Sequence, residues 1–245
     1  MRTRSIRLLS ECEATDLIPS YLDMLKNDPD VTVRAEVARV LNLFVDLGEL
    51  EEIAETLHHK VEDALLASVA SEDDVRVRRA ALESLGYSSR PEVATLIESS
   101  FHREDPNWQT SALIAMGRSA DERWADAVTR SMVNEDDRIR KAAVQAAGEL
   151  SLKSARPLLL KMLGEEEDDT VLPAVIWSLS QIGGEDVRTY LENLLDQIED
   201  EDQITFLEEA LDNLAFTEDL DRFDLLSFDA DDDLMEIEEN DDDEK

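Results

Sequence analysis

The chain has one cysteine, seven glycines and six prolines in 245 residues, and only 5% of it is aromatic. A single thiol, Cys12, excludes an intrachain disulfide and fits a reducing compartment, so the expected location is cytoplasmic. The shortage of glycine argues against a β-sandwich, which needs turn glycines and β-branched runs. No run approaches the roughly 18 apolar residues of a membrane span. Met1 to Ser10 scatters arginines among short apolar groups and lacks the apolar stretch of a signal peptide. Positive charge is also scarce: 24 Lys and Arg stand against 60 Asp and Glu, a formal net charge of −36. Such a field repels phosphates and anionic head groups, so neither nucleic acid nor membrane is an expected partner. The expected partner is another protein, and a basic one is favoured.

What the chain does contain is a repeat. Glu72 to Gly86 carries Val77 and Arg78, then Ala81, Leu82 and Leu85, then glycine; Asn134 to Gly148 copies it with Ile139, Arg140, Ala143, Val144, Ala147 and Gly148. An acidic residue opens each copy: Asp30, Asp74, Asp105, Asp136, Asp168 and Asp200, at spacings of 44, 31, 31, 32 and 32. Seven residues later come Val37, Ala81, Ala112, Ala143, Val175 and Leu207. Eleven later come Leu41, Leu85, Met116, Ala147, Leu179 and Leu211. These spacings place one apolar stripe on a helix, the A helix of each unit. A second stripe follows in Ile18, Val93, Trp124, Ala155 and Val187, then Leu22, Leu66, Ile97, Val128, Leu159 and Leu191, then Leu25, Val69, Ser100, Ser131, Met162 and Leu194. That is the B helix. Gly86, Gly117 and the Gly183-Gly184 pair read as helix stops in the A–B turns. Acidic B–A turns suit the positive end of the next helix.

One such pair cannot bury its stripe alone; stacked neighbours make a continuous core. Residues 1–216 therefore read as one array of pairs, opened by a shortened A helix over Met1 to Glu11 and closed by an A helix over Glu201 to Phe216. The 44-residue spacing implies about thirteen extra residues near Gly48 to Lys60. Leu50, Ile53, Leu57, Val61, Ala64 and Leu65 keep helical spacing through them, so a B helix extended over about 48–70 is predicted. It is either a tolerated surface insertion or a projecting partner contact. From Thr217 onward fifteen acidic residues face two basic ones. Residues 217–228, with Phe223, Leu225, Leu226 and Phe228, are expected to fold back as a cap on the last helix, and 229–245 to form a disordered acidic tail.

The Val-Arg pair, the small residue after it, the Leu before Gly and the period near 31 resemble HEAT repeats, in particular the short bacterial type named after phycobilisome lyases. Val33-Arg34, Val77-Arg78 and Ile139-Arg140 fill the family's Val-Arg place, and Asp28 its inter-helix Asp. The resemblance implies an all-α, right-handed α-solenoid of about six to seven HEAT-like helix pairs. It also implies an Asp–Arg ladder along the turns, only partial here. Glu72, Arg103, Asn134 and Glu166 occupy the Asp place, and Gln109, Leu172 and Ile204 the Arg place. A basic stripe of Arg34, Arg78 and Arg140 for an anionic ligand is the competing reading, weakened by their acidic neighbours.

No Ser-His-Asp order, phosphate loop or metalloprotease helix is present, and the carboxylate runs look solvated, so no catalytic residue and no cofactor is expected. His58 and His59 point about 100° apart on a helix and so do not converge on one point; Glu55 and Glu62 nearby leave a weak metal site as the lesser reading, and no metal site is assigned. Asp229 to Asp233 lacks the glycine and glutamate of a calcium loop. Cys12 reads as a small buried thiol, His102 as surface, Trp108 and Trp124 as core, and Trp177 as packing between repeats. Off the B-helix stripes lie Glu92, Thr95, Ser99, Arg123, Asp126, Arg130, Lys161, Arg188 and Glu192, mixed in charge and without an aromatic cluster. They are the candidate protein-binding positions, and a protein–protein scaffold or adaptor is the expected function. Two alternatives stand beside it. The resemblance implies a lyase-like enzyme or subunit acting on a protein-bound chromophore. The charge suggests an acidic chaperone or decoy for basic proteins.

Overall fold

This computed structural model describes residues 2–10 and 14–238. Among the described residues the regular structure is helical, without a strand. In chain order the α-helices are α1 (Arg2–Ser10), α2 (Ile18–Asn27), α3 (Val31–Val40), α4 (Asn42–Glu49), α5 (Glu55–Ser71), α6 (Val75–Ser84), α7 (Pro91–Phe101), α8 (Pro106–Arg118), α9 (Ala125–Ser131), α10 (Asp137–Glu149), α11 (Arg156–Glu165), α12 (Leu172–Ile182), α13 (Glu185–Leu195) and α14 (Glu201–Glu238). A and B helices alternate, with α3 and α4 sharing the second A place. The fold is an α-solenoid of helix pairs. It divides into two compact units, Met1–Leu150 and Ser151–Lys245.

Four of the acidic residues that open the A helices are N-caps, while the N-cap of α12 is Val171. Asp30, Asp74, Asp105 and Asp136 accept hydrogen bonds from the backbone N–H of Thr32, Arg76, Asn107 and Arg138 at 2.9–3.0 Å. Asp168 accepts from Thr170 N–H at 2.8 Å and Asp200 from Gln203 N–H at 3.0 Å. Each of the four caps satisfies an orphan donor of its helix.

In the first unit α1, α3, α6, α8 and α10 pack side by side, and α2, α5, α7 and α9 each pack on the A helix that follows. The small residues set the spacing. Ala38, Ala81, Ala112, Ala115, Ala143, Ala146 and Ala147 are all fully buried. The Ser84 hydroxyl donates to Ala38 O at 2.8 Å across the α3–α6 seam. Gly86 and Gly117 serve this close approach and do not stop helices. Among the described residues positive φ occurs at Glu51, Ala120, Ser151, Gly183 and Gly184, not at these two. A Cβ on Gly86 would lie 2.8 Å from Ala115 O, and one on Gly117 would lie 2.9 Å from Ala146 Cα. Glycine is there because the neighbouring backbone occupies the space of a side chain.

The extra residues of the second pair do not extend the B helix from Gly48. They are shared between α4, which lengthens the A side, and α5, which starts at Glu55. The break is a Schellman turn. Glu52 N–H donates to Leu47 O at 2.8 Å and Glu51 N–H to Gly48 O at 3.1 Å, with Glu51 at φ 61°. Helical spacing runs on through Leu50, but Leu50 is 61% exposed and has no packing to gain from a continuous helix.

In the second unit α11 packs on α12, and α12 and α13 pack on α14. Asn213 Nδ2 donates to Ser180 Oγ at 3.0 Å, and Thr217 Oγ1 donates to Ser180 O at 3.0 Å. The backbone does not fold back at Thr217. α14 continues to Glu238, consistent with the absence of glycine and proline from 217 to 238. Within the expected acidic tail, 229–238 belong to this helix, and 239–245 lie outside the described residues, as does Cys12. No helix among the described residues is long and apolar enough to cross a membrane.

Candidate functional site

The arginines at the starts of the A helices are tied into the fold. Arg34 donates from Nε and Nη2 to both carboxylate oxygens of Glu72, at 3.2 and 3.0 Å, and from Nη1 to Asp28 O at 2.9 Å. Arg78 Nε donates to Val69 O at 2.8 Å, and its guanidinium lies 5.6 Å from the Trp108 ring centroid. Arg140 Nη1 donates to Asn134 O at 2.9 Å. All three close B–A turns, which leaves no basic stripe for an anion. The caps are electrostatically strong. The Arg76 guanidinium, then its backbone N–H, holds the Asp74 carboxyl down at about 2. Arg138 lowers Asp136 in the same way, and the Asn107 backbone N–H lowers Asp105. Burial pushes Glu72 up, but the hydrogen bonds from Arg34 and from Asp74 N–H outweigh it and leave Glu72 below its ordinary value.

The B helices present the candidate binding positions. Glu92, Thr95 and Ser99 form an exposed row on α7; Arg123, in the short turn before α9, leads an exposed row with Asp126 and Arg130. A groove of about 500 Å³ lies between the start of α7 and that turn, floored by Val93, Ile97 and Trp124 and edged by Arg90 and Arg123. Another, of about 550 Å³, separates α2 from α5, with Leu22, Lys26 and Glu72 on its walls. In the second unit Lys161 and Glu192 are exposed, whereas Arg188 is half-buried and donates to Glu218 Oε2 at 2.6 Å. Trp177 packs against Phe206 at 6.4 Å between centroids yet stays 39% exposed.

A third cleft, of about 590 Å³, opens where α4 turns into α5. His58 sits there 8% exposed, and its Nε2 is buried without a hydrogen-bond partner. That nitrogen is 3.7 Å from Glu49 Oε1 and 3.7 Å from Glu62 Oε1. The turn at Ser88-Ser89 fixes both carboxylates: the Ser88 hydroxyl donates to Glu62 Oε1, and Ser89 N–H donates to Glu49 Oε1 at 2.8 Å. Arg90 Nη1 approaches the other oxygen of Glu62 at 3.9 Å and is itself held by Asp63 and Glu92. Gly48 makes room for the imidazole, since a Cβ there would fall 2.2 Å from His58 Cδ2. Spacing along one helix could suggest Glu62 as a neighbour of His58. It could not suggest Glu49, which reaches His58 only because of the Schellman turn. Glu55 and His59 line the cleft but stand outside this trio.

The comparison with protein families agrees with this architecture. A family model described as HEAT repeats matches residues 62–146 and 132–212. The chain belongs to the HEAT-repeat family. A solved structure of an engineered protein matches at 17% identity and a TM-score of 0.43, over 82% of this chain and 97% of that one. A search of curated proteins finds no match. HEAT repeats generally serve as protein-interaction scaffolds. In this HEAT-repeat chain Arg34–Glu72 is a side-chain rung of the ladder between successive units, while Gln109 keeps the Arg place by donating to Arg103 O at 2.9 Å. At Gln109 the departure from the family pattern thus keeps the turn closed by a different donor.

Proposed function

We propose that this chain is a non-catalytic scaffold that docks a basic protein on its B-helix layer. The observation that carries the reading is the division of labour between the two layers. The A helices spend their faces on one another through alanine and glycine, whereas the B helices leave grooves with exposed charged rims. Two of the arginines along these edges are already matched, Arg90 by Asp63 and Glu92 and Arg123 by Asp121, while Lys26 and Arg130 add positive charge that the acidic excess of the chain far outweighs. With 36 more acidic than basic residues, a positive surface gains both affinity and association rate.

The test is binding of a partner captured from the native cell, measured with purified components over a salt series. Binding that weakens about ten-fold or more between low and physiological salt is expected. Glu92→Lys combined with Asp126→Lys should weaken it further. Binding indifferent to salt and to both substitutions would refute the reading.

A further inference from the structure

The structure assigns to Glu49, His58 and Glu62 a binding site for one first-row divalent metal ion of the zinc type. His58 Nε2 is buried and hydrogen-bonded to neither of the two carboxylates that face it. At 3.7 Å from each carboxylate oxygen it is too far away to donate a hydrogen bond to either. A buried imidazole nitrogen left unmatched is costly, so the position asks for a ligand.

The geometry says which kind. The three donor atoms all lie within 4.8 Å of one another, with two of the edges 3.7 Å. The centre of such a triangle is about 2.0–2.4 Å from every corner, which spans the bond lengths zinc makes to imidazole nitrogen and carboxylate oxygen. One nitrogen and two oxygens suit zinc and its neighbours; calcium prefers six to eight oxygens, and magnesium a largely hydrated octahedron. Water from the cleft these residues line can complete the coordination.

Two features mark a built site and set it apart from the many exposed acidic clusters of this chain. The first is the unmatched nitrogen itself, buried and facing both carboxylates. The second is the outer shell: the hydroxyl of Ser88 and the backbone N–H of Ser89 orient one carboxylate each, as groups around metal ligands commonly do. Arg90 lies on the Glu62 oxygen that does not face His58, and its charge is offset by Asp63 and Glu92. The site ties α4 to α5, and through Ser88 and Ser89 to the turn before α7. It would therefore brace the one irregular repeat of the array.

The experiment is a titration of the full chain, stripped by chelator, with cobalt(II) in millimolar magnesium to occupy exposed carboxylates. Zinc then competes for the same site. The expected result is one saturable equivalent with the intense visible bands of a four- or five-coordinate ion, displaced by zinc. His58→Gln and Glu49→Gln should each abolish those bands, and Ser88→Ala should weaken binding about 10–100-fold. Glu49→Gln retains an acceptor for Ser89 N–H, so it decides the matter even if His58→Gln fails to fold. Uptake that does not saturate near one equivalent, or bands that survive Glu49→Gln in a folded protein, would overturn the assignment.

Discussion

Replacing Gly86 with alanine adds one methyl group where the turn after α6 lies against α8. The new Cβ would stand 2.8 Å from Ala115 O, 2.9 Å from Ala115 Cα and 2.9 Å from Arg118 Cβ. Ordinary contact begins at 3.4 Å, so α8 must retreat about 0.6 Å (3.4 − 2.8) to relieve the tightest contact. All three obstructing atoms belong to the backbone or to its first side-chain carbon, so no rotamer change can clear them. Overpacking of this kind costs about 1–3 kcal/mol, offset by up to about 1 kcal/mol from replacing a flexible glycine. The expected net loss is about 1–2 kcal/mol, read by urea unfolding followed by circular dichroism. Gly164→Ala is the internal control. Gly164 lies in α11 with nothing within 4 Å of its Cβ position, so alanine there should stabilise its own unit slightly. Asparagine distinguishes the two explanations of Gly86. A helix-stop glycine tolerates it, because asparagine readily adopts positive φ, whereas a close-contact glycine does not. If Gly86→Asn were as stable as Gly86→Ala, or if Gly86→Ala gained stability, the reasoning would fail.

Other outcomes follow from the same contacts. Glu51→Gly should stabilise the first unit by about 1 kcal/mol, since glycine adopts φ 61° without the Cβ penalty; an unchanged urea midpoint would argue against the Schellman turn. Arg34→Gln should cost about 1–2 kcal/mol, and Arg34→Lys should fail to restore it, because a single ammonium cannot copy the fork on Glu72; full rescue by lysine would contradict this. The Asp74 cap has a folded-state value near 2 against an ordinary 3.8, so its stabilisation is complete above about pH 4 and is lost as pH falls toward 2. Asp74→Asn should flatten the acid limb of the stability–pH curve, and a curve of unchanged steepness would count against the cap's strength.

Much of the fold is legible in the sequence because helix periodicity and burial enforce each other. Val37, Ala81, Ala112, Ala143 and Val175 are all fully buried, as are Leu41, Leu85, Met116, Ala147 and Leu179. Trp108 and Trp124 lie in the core as their register requires. In α14 the phase slips, so Ala210 and Leu214 are buried where Leu211 was expected. In the first two B helices Tyr21 and Leu65 are buried in place of Leu22 and Leu66. The glycines were visible but their reason was not. Gly86 is identical in sequence to a helix stop, and only the position of Ala115 backbone reveals a contact glycine. The His58 trio was hidden more deeply. It depends on a turn whose positive-φ residue is a glutamate, and no local pattern announces that. The six exposed candidate positions of the first unit were readable because they fall off the apolar stripe, but periodicity says nothing about the grooves between the helices that carry them.

The central claim is that the B-helix layer is the working surface. Hydrogen–deuterium exchange on the full chain, alone and with its captured partner, tests it most directly. The expected footprint is protection at the exposed rows of α7 and α9, carrying Glu92, Thr95, Ser99, Asp126 and Arg130, with the A helices unchanged. Protection confined to the A helices, or none on α7 and α9, would contradict the account.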